Sequence, residues 1–197
     1  MKRVVKIGGR DQGDARLPAA LAAATLAALA TPSGFLCVVH GGGDEVTNLQ
    51  TRLGLQSAFI GGRRVTSVED LEIVRMVLSG ATNKRMVAQL ISQGVRAVGI
   101  SGEDAGLFTA QITNPAMGRV GGRVTVHAAL VEHLVRGGFV PLISPLARDA
   151  DDVAGAGLNV NGDDAAAALA AARGVTGWQL SLSHTAGSAM AVALALG

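Results

Sequence analysis

Two glycine-rich segments near the start of the chain carry residues that could bind an anion. The first, VVKIGG, places Lys6 just before Gly8 and Gly9, and the second, VVHGGGDE, places Gly42 and Gly43 directly before two acids. A run of glycines costs stability in ordinary helix or strand, so it marks a tight turn or a close approach to the backbone. Bare amides that lead into a helix attract phosphate or carboxylate, and we therefore expect an anion site here.

Lys6 and His40, beside these glycines, each have two interpretations. Lys6 lies inside an apolar strand, where a charge is costly without an anionic partner, so it either contacts a phosphate or reaches solvent at the strand edge. His40 either orients the glycine turn or packs in the core, and packing is the preferred interpretation.

Two later segments hold polar side chains suited to the rest of an anionic ligand. In GGRRVT, Arg63 and Arg64 follow a glycine pair; an arginine fork suits a carboxylate, although solvated charge on a hairpin explains the same pattern. In LNVNGDD, Asn159 and Asn161 could face one side of an extended segment. Alternatively, Asn161 or Asp163 caps the helix that follows.

Several other kinds of site are disfavoured by what the sequence lacks. It has neither the G-x-G-x-x-G fingerprint of dinucleotide enzymes nor the G-x-x-x-x-G-K-[ST] phosphate loop. No cluster of His, Cys and Asp has the spacing of a metal site, and no Ser-His-Asp set can be assembled. We therefore expect no metal ligands from the protein and no protein nucleophile.

The sequence around these residues alternates short apolar runs with longer helical patterns, which indicates a parallel sheet covered by helices. Strands are expected at VVKI, FLCVVH, VRAVGIS and FVPLIS, and helices over 19–30, 44–53, VEDLEIVRMVLSG, TNKRMVAQLISQG, AALVEHLVRGG and NGDDAAAALAAARG. Helical spacing predicts a buried face made of Leu71, Val74, Leu78, Met86, Leu90 and Ile91. Hairpins are expected at Gly61–Gly62 and Gly121–Gly122, and a polar loop at ARDADDVAGAG.

Composition narrows the class of protein further. The chain has 197 residues, a formal charge of +2 and 16% charged residues without an extended basic run, so nucleic acid is not an expected partner. The N-terminus lacks a signal-peptide pattern, and the longest apolar segment is too short for a membrane span, so no membrane association is expected. The single cysteine, Cys37, is expected to be a buried thiol, which fits a cytoplasmic protein.

Six segments, in this order and spacing, resemble motifs of the amino-acid kinase family: VVKIGG, VVHGGGDEV, GGRRVT, VLSGATNKRMV, VGISGEDAG and LNVNGDDAAAAL. The resemblance covers residues 3 to about 175 and falls within the branch that phosphorylates N-acetyl-L-glutamate. It implies an α/β fold, a three-layer α/β/α sandwich around a mainly parallel central sheet. It also implies phosphoryl transfer from ATP, with Mg²⁺, to the side-chain carboxylate, which gives N-acetyl-L-glutamyl 5-phosphate in arginine biosynthesis.

By the same resemblance, four residues are expected to act on the transferring phosphate. Lys6 would neutralise charge on the phosphoryl group, and Asp163 would orient this catalytic lysine. Gly8 and Gly9 would approach the phosphates of ATP.

The resemblance assigns five further residues to the acceptor. The amides of Gly42 and Gly43 would hold the acceptor carboxylate and the migrating group. Arg64 would bind the α-carboxylate with help from Asn159, and Asn161 belongs to the same substrate-side motif.

The resemblance also divides the chain into two parts. Residues 1–175 correspond to the part that binds the acyl-amino acid, whereas residues 176–197 look like a divergent remnant of the nucleotide-binding part. Family members continue into an ATP-binding half that supplies a second phosphate-contacting lysine, but no lysine follows Asp163 here. The C-terminal half of the fold is therefore expected to be incomplete.

Assembly and two rival functions complete the set of expectations. The chain starts close to its first strand, without the extra helix of arginine-inhibited members, which implies an arginine-insensitive homodimer. One rival is the kinase for carrier-linked α-aminoadipate in lysine biosynthesis, which shares the lysine-glycine and H-G-G motifs. The other is a catalytically dead, truncated domain that only binds acetylglutamate.

Overall fold

The computed structural model describes residues 2–9, 16–30, 34–152, 154–175, 177–185 and 188–196. The strands in these ranges are β1 Lys2–Ile7, β2 Phe35–His40, β3 Phe59–Ile60, β4 Arg63–Arg64, β5 Ala97–Ser101, β6 Phe108–Ile112, β7 Val120–Val126, β8 Val140–Ser144, β9 Leu146–Asp149, β10 Gly157–Val160, β11 Gly177–Thr185 and β12 Ser188–Leu196. The α-helices are α1 Leu17–Leu29, α2 Gly43–Arg52, α3 Val68–Arg75, α4 Asn83–Ser92, α5 Ala129–Arg136 and α6 Gly162–Ala172. A π-helical segment, Met76–Thr82, joins α3 to α4, and short 3-10 turns occur at Asp104–Gly106 and Pro115–Met117.

The main sheet has six strands in the order β11-β12-β1-β2-β8-β5. β1, β2, β8 and β5 run parallel, while β12 pairs antiparallel with β1, and β11 antiparallel with β12. Every residue of β2 is buried, as expected for a strand inside a parallel sheet whose two faces are both covered. The prediction of a mainly parallel central sheet is confirmed.

Helices cover both faces of this sheet and make it the middle of three layers. Successive residues of a strand point to opposite faces, so Leu36 of β2 packs in a core with α1 and α4. Val39 of the same strand packs in a second core with α5 and α6. The predicted three-layer arrangement is confirmed. Cys37 is also buried, as expected, and burial raises the pKa of its thiol.

A small closed barrel in the order β10-β7-β6-β9 lies against the second core. Two sequence expectations are wrong in this region. Gly121 and Gly122 do not form a turn but lie within β7. The glycine at position 121 is explained by close packing instead, since a Cβ there would lie 2.8 Å from Cβ of Ala110. The polar segment after β8 is not all loop, since β9 occupies its start, and Ala147 is fully buried in the second core.

The first predicted hairpin is confirmed. Strands β3 and β4 are joined by Gly61 and Gly62, with φ of 56° and 77°. Type I′ turns require a positive φ at both central residues, and glycine adopts this conformation without a steric penalty.

The two helices predicted between Val68 and Gln93 form one continuous helical rod, because the π-helical segment links them without a break. The predicted buried face is confirmed for five of its six residues, but Ile91 is 55% exposed. Ile91 follows Leu90 directly, and neighbours in a helix point about 100° apart. Among the described residues, no helix is long and apolar enough to cross a membrane.

Candidate functional site

The two glycine segments meet at the carboxyl edge of the main sheet. The Gly41 amide donates to the Ile7 carbonyl at 2.8 Å. A Cβ on Gly9 would lie 3.1 Å from the Gly42 nitrogen, and a Cβ on Gly42 would lie 2.6 Å from Cδ2 of Leu78. Gly42 also has φ of 155°, a conformation that side chains rarely adopt. The glycines are therefore needed because two backbones and a helix pack here without room for side chains.

The amides of Gly42 and Gly43 are available to a ligand. Helix α2 begins at Gly43, so these groups belong to its unsatisfied first turn. No hydrogen bond from either amide is found within the described residues. Because the positive end of the helix dipole lies at the same point, the geometry favours an anion.

His40 is fully buried beneath this turn. Its Nδ1 lies 2.8 Å from the Gly41 carbonyl oxygen, and its Nε2 lies 3.1 Å from Nδ2 of Asn83. A carbonyl can only accept and an amide nitrogen can only donate, so the neutral ring carries its proton on Nδ1. Burial lowers the pKa of His40 to about 4, although the Gly41 carbonyl and Glu45 act in the opposite direction. The preferred packing interpretation holds, but the ring also binds the glycine turn.

Lys6 and Asp163 form an ion pair across the cavity. Lys6 Nζ lies 2.9 Å from Oδ1 of Asp163, and the lysine side chain is only 18% exposed. Asp163 is in the first turn of α6, which Asn161 caps: its Oδ1 accepts from the Asp163 amide at 2.7 Å. Because the cap fixes the start of α6, it also fixes the carboxylate that holds Lys6.

Arg64 is buried, at 8% exposure, so the solvated-charge interpretation is wrong for this residue. Its Nη1 donates to Gln50 Oε1 at 2.5 Å and to Ser57 Oγ at 2.8 Å. Its Nη2 donates to the Gly43 carbonyl at 2.8 Å and to Thr47 Oγ1 at 2.7 Å. All four hydrogen-bond acceptors are neutral. Burial lowers the pKa of the guanidinium, while the nearby carboxylates of Asp70 and Asp44 act in the opposite direction. A buried cation whose direct hydrogen-bond partners are neutral favours an anion beside it.

Arg63, in contrast, lies at the rim of the cavity. Its Nη1 is 2.7 Å from Oδ2 of Asp164, and both side chains are partly exposed. This ion pair connects the hairpin to the start of α6. Within the part of the chain described, Lys6 and Arg63 are therefore both paired with acids, while no ion pair is found for Arg64.

Asn159 is held on β10 by Thr66. Its Nδ2 donates to Oγ1 of Thr66 at 3.0 Å, and Thr66 is fully buried. Because this hydrogen bond fixes the side-chain amide group, it also fixes the direction of the Asn159 side-chain oxygen. Asn159 lines the same cavity as Arg64. The two asparagines of LNVNGDD thus have different tasks, since Asn161 caps α6.

A single cavity of about 230 Å³ brings eight of the nine predicted site residues together: Lys6, Gly9, Gly42, Gly43, Arg64, Asn159, Asn161 and Asp163. Gly8 does not line it. The sequence alone gave no sign of the apolar part of the lining, which consists of Val46, Phe59, Val74, Leu78, Val120, Pro145 and Val160. Phe59 also stacks on Arg64, with 4.9 Å from guanidinium carbon to ring centroid. No group of three or more His, Cys, Asp or Glu side chains suited to a metal occurs among the described residues.

A glycine-lined cavity at the edge of a three-layer α/β/α sandwich agrees with the comparison to known sequences. The model of the amino acid kinase family matches residues 1–177. The chain therefore belongs to the amino acid kinase family.

Individual relatives narrow the comparison. Acetylglutamate kinase from Bacillus subtilis is 46% identical over 138 residues, which cover 70% of this chain and 52% of that protein. Acetylglutamate kinase from Bifidobacterium adolescentis is 41% identical over 180 residues, covering 88% of this chain and 56% of that protein. The chain spans about half the length of the curated relatives it matches.

A solved structure supports the fold. The crystal structure of smu.665 from Streptococcus mutans UA159 superposes with a TM-score of 0.76, over 87% of this chain and 68% of that chain. The sequence identity is 24%, so the similarity concerns architecture alone.

The buried state of His40 predicts how stability depends on pH. Its pKa is about 4 in the native protein against an ordinary value of about 6.5 for an exposed histidine, so the unfolded chain binds more protons between these values. The free energy of unfolding should therefore be highest above pH 6.5 and should fall by about 3 kcal/mol towards pH 4 on account of this residue. Urea denaturation at a series of pH values measures this change.

Carboxylates also titrate in this pH range and contribute to the change in stability. The His40→Asn variant is the control, because it keeps these carboxylates but has no group that titrates at position 40. The wild-type protein should lose more stability between pH 6.5 and 4 than the variant. Parallel pH profiles would show that His40 has no lowered pKa.

Proposed function

We propose that this chain forms the acceptor-binding part of an enzyme that transfers the γ-phosphoryl group of ATP to the side-chain carboxylate of N-acetyl-L-glutamate, in arginine biosynthesis. The observation that carries the proposal is the buried Arg64 guanidinium, which faces the same cavity as the free amides of Gly42 and Gly43. The curated relatives are acetylglutamate kinases. The chain spans only about half of their length, so their activity is a proposal for this chain.

The acceptor is proposed to lie between the hairpin and the start of α2. Arg64 and Asn159 hold its α-carboxylate, and Asn161 lines the same cavity. Arg64 is suited to this task because it is buried, its direct hydrogen-bond acceptors are neutral, and Asp70 and Asp44 affect it through space rather than through an ion pair. The apolar lining, which includes Phe59 and Leu78, suits the methylene groups and the acetyl group.

The reacting carboxylate is proposed to lie at the glycine turn. One of its oxygens attacks the γ-phosphorus of ATP, the bond from that phosphorus to the β–γ bridging oxygen breaks, and the electron pair leaves with ADP. The N–H groups of Gly42 and Gly43 donate hydrogen bonds to the migrating phosphoryl group, while Lys6 neutralises the negative charge of that group. Asp163 holds Lys6 at 2.9 Å and fixes its direction. Such a transfer needs positioning and charge stabilisation rather than a protein nucleophile.

The residues present fit a phosphate group at this point. Free amides, a helix N-terminus and a lysine are the donors that phosphate oxygens require. Gly8 and Gly9 are proposed to approach the ATP phosphates, Gly9 from the cavity wall and Gly8 from just outside it. Mg²⁺ is proposed to enter with ATP, bound to the phosphate oxygens.

We further propose that residues 1–175 form the acyl-amino-acid-binding part, and that residues 176–197 are a divergent remnant of the nucleotide-binding part. The family match ends at residue 177, which supports this division.

An arginine-insensitive homodimer is also proposed. Exposed apolar side chains on the helical rod, including Met76 and Ile91, support it, and light scattering with and without arginine tests it.

The direct test is to mix the protein with N-acetyl-L-glutamate and Mg-ATP and to trap the acyl phosphate with hydroxylamine. Formation of the hydroxamate supports the proposed kinase. Calorimetry tests for the dead binding domain, which would bind acetylglutamate without binding ATP or forming product. Phosphorylation of carrier-linked α-aminoadipate, but not of free N-acetylglutamate, indicates the kinase of lysine biosynthesis.

Substitution of Arg64 should weaken acceptor binding. Arg64→Ala removes a hydrogen-bonded charge worth about 1.5–3 kcal/mol, so the affinity for N-acetylglutamate should fall about 10- to 100-fold in calorimetry. Since four acceptors lose their donor, the variant should also be less stable, and binding is measured well below its melting temperature. Arg52→Ala, an exposed arginine on α2, is the matched control. Equal affinity of the two variants would remove Arg64 from the site.

Substitution of Lys6 should affect transfer more than binding. Lys6→Ala removes one preorganised charge donor, and kcat should fall about 10²- to 10³-fold. The dissociation constant of N-acetylglutamate should change little, because Arg64 and Asn159 remain. Lys2→Ala is the control, since Lys2 lies on the same strand but donates to the Arg173 carbonyl. A loss confined to acceptor binding contradicts the role given to Lys6.

A further inference from the structure

His40 is hydrogen-bonded to the Gly41–Gly42 peptide group, whose N–H the proposed function places at the migrating phosphoryl group. The Gly41 carbonyl and the Gly42 amide belong to the same peptide unit, and no cis peptide bond occurs among the described residues. In a planar trans peptide the C=O and N–H bonds point in opposite directions. Because His40 Nδ1 holds the Gly41 carbonyl at 2.8 Å, the Gly42 N–H is directed away from the ring.

This peptide unit has little conformational preference of its own. Rotation of a peptide plane changes ψ of the residue before it and φ of the residue after it, and here both residues are glycines. Glycine reaches most of the conformational map at low cost. The direction of the Gly42 N–H therefore depends on external hydrogen bonds rather than on local sterics alone.

The imidazole itself is fixed from behind by Asn83. Asn83 Nδ2 contacts both Nε2 of His40, at 3.1 Å, and the Leu142 carbonyl on β8, at 2.9 Å. Asn83 is fully buried, and Gly99 of β5 leaves space for it, since a Cβ there would lie 1.8 Å from Asn83 Oδ1. An amide donor at Nε2 selects the tautomer that keeps the proton on Nδ1.

We infer that His40 is a positioning residue for phosphoryl transfer: held by Asn83, it directs the Gly42 amide towards the oxygens of the migrating phosphoryl group. The inference rests on the proposed function, which places the Gly42 amide at the reacting carboxylate. His40 itself touches neither substrate nor phosphate in this arrangement. A histidine that only filled the core would act through its volume and not through Nδ1.

Two substitutions at position 40 separate these roles. In His40→Asn the side-chain amide nitrogen lies near the position of Nδ1 and can still donate to the Gly41 carbonyl. In His40→Gln the polar group lies near the position of Nε2, so contact with Asn83 is kept and the donor to Gly41 is lost. Both variants remove the ring and lose comparable packing. Cys37→Ala, on the same strand and equally buried, is the control for packing loss.

The expected result is a difference in kcat between the two variants. His40→Gln should lose about 10²-fold in kcat, as when one amide donor to a developing charge is removed, with little change in the KM for N-acetylglutamate. His40→Asn should recover most of the rate, and Cys37→Ala should match the wild-type protein. Equal losses in the two variants, or a larger loss in His40→Asn, would overturn the inference.

A measurement without substrate tests the same point independently of the proposed function. In nitrogen-15 NMR spectra of the ligand-free protein, His40→Gln should shift or broaden the Gly42 amide resonance because the peptide rotates. His40→Asn should leave this resonance close to its wild-type position. An unperturbed Gly42 resonance in His40→Gln overturns the inference even if the kinase assay succeeds. A wild-type protein that neither binds nor phosphorylates N-acetylglutamate refutes the proposed function alone.

Discussion

Neighbouring parallel strands end side by side, and the backbone contact between the loops after β1 and β2 follows from this arrangement. Gly41 donates to Ile7, and Gly9 lies against the Gly42 backbone, so neither loop has room for a side chain at the contact. The same crowding leaves the amides at the start of α2 uncovered. The other parts of the cavity are arranged around this contact: Leu78 closes it from the helical rod, and Lys6 borders it from β1.

The three basic side chains around the cavity differ in their partners, because two of them form ion pairs and no ion pair is found for the third among the described residues. Lys6 and Arg63 each face an acid from the first turn of α6, whereas Arg64 is satisfied by a carboxamide, two hydroxyls and a carbonyl. Neutral acceptors meet the hydrogen-bonding needs of a guanidinium without cancelling its charge. An anionic ligand is therefore attracted to Arg64, although the carboxylates of Asp70 and Asp44 lie near enough to raise its pKa. Asp163 and Asp164 offset the positive charges of Lys6 and Arg63.

Sequence reasoning was most successful where the cause of a structure is local. The turn at Gly61–Gly62, the Asn161 cap and the loops after β1 and β2 each depend on a few consecutive residues, and each was found as expected. It was wrong at Gly121, where the cause is the side chain of Ala110 on another strand. The acceptors of Arg64 were not foreseen, since Gln50, Thr47 and Ser57 carry no motif and meet only through folding. The tautomer of His40 likewise depends on Asn83, 43 positions further along the chain.

The π-helical segment sets the rotational phase between the two halves of the helical rod. Before it, Leu71 and Val74 face a core that includes Val46; after it, Met86 and Leu90 face the core under the main sheet. The wide turns of Met76–Thr82 hold more residues per turn than an α-helix does. If the same seven residues were wound as a regular α-helix, everything that follows would be rotated by about 100°, roughly the turn of one helical residue. Met86 would then leave its core and Asn83 would leave its position behind the glycine turn. The number of residues in this segment and its wide geometry are therefore matched to each other, whereas the identity of many of the residues matters less.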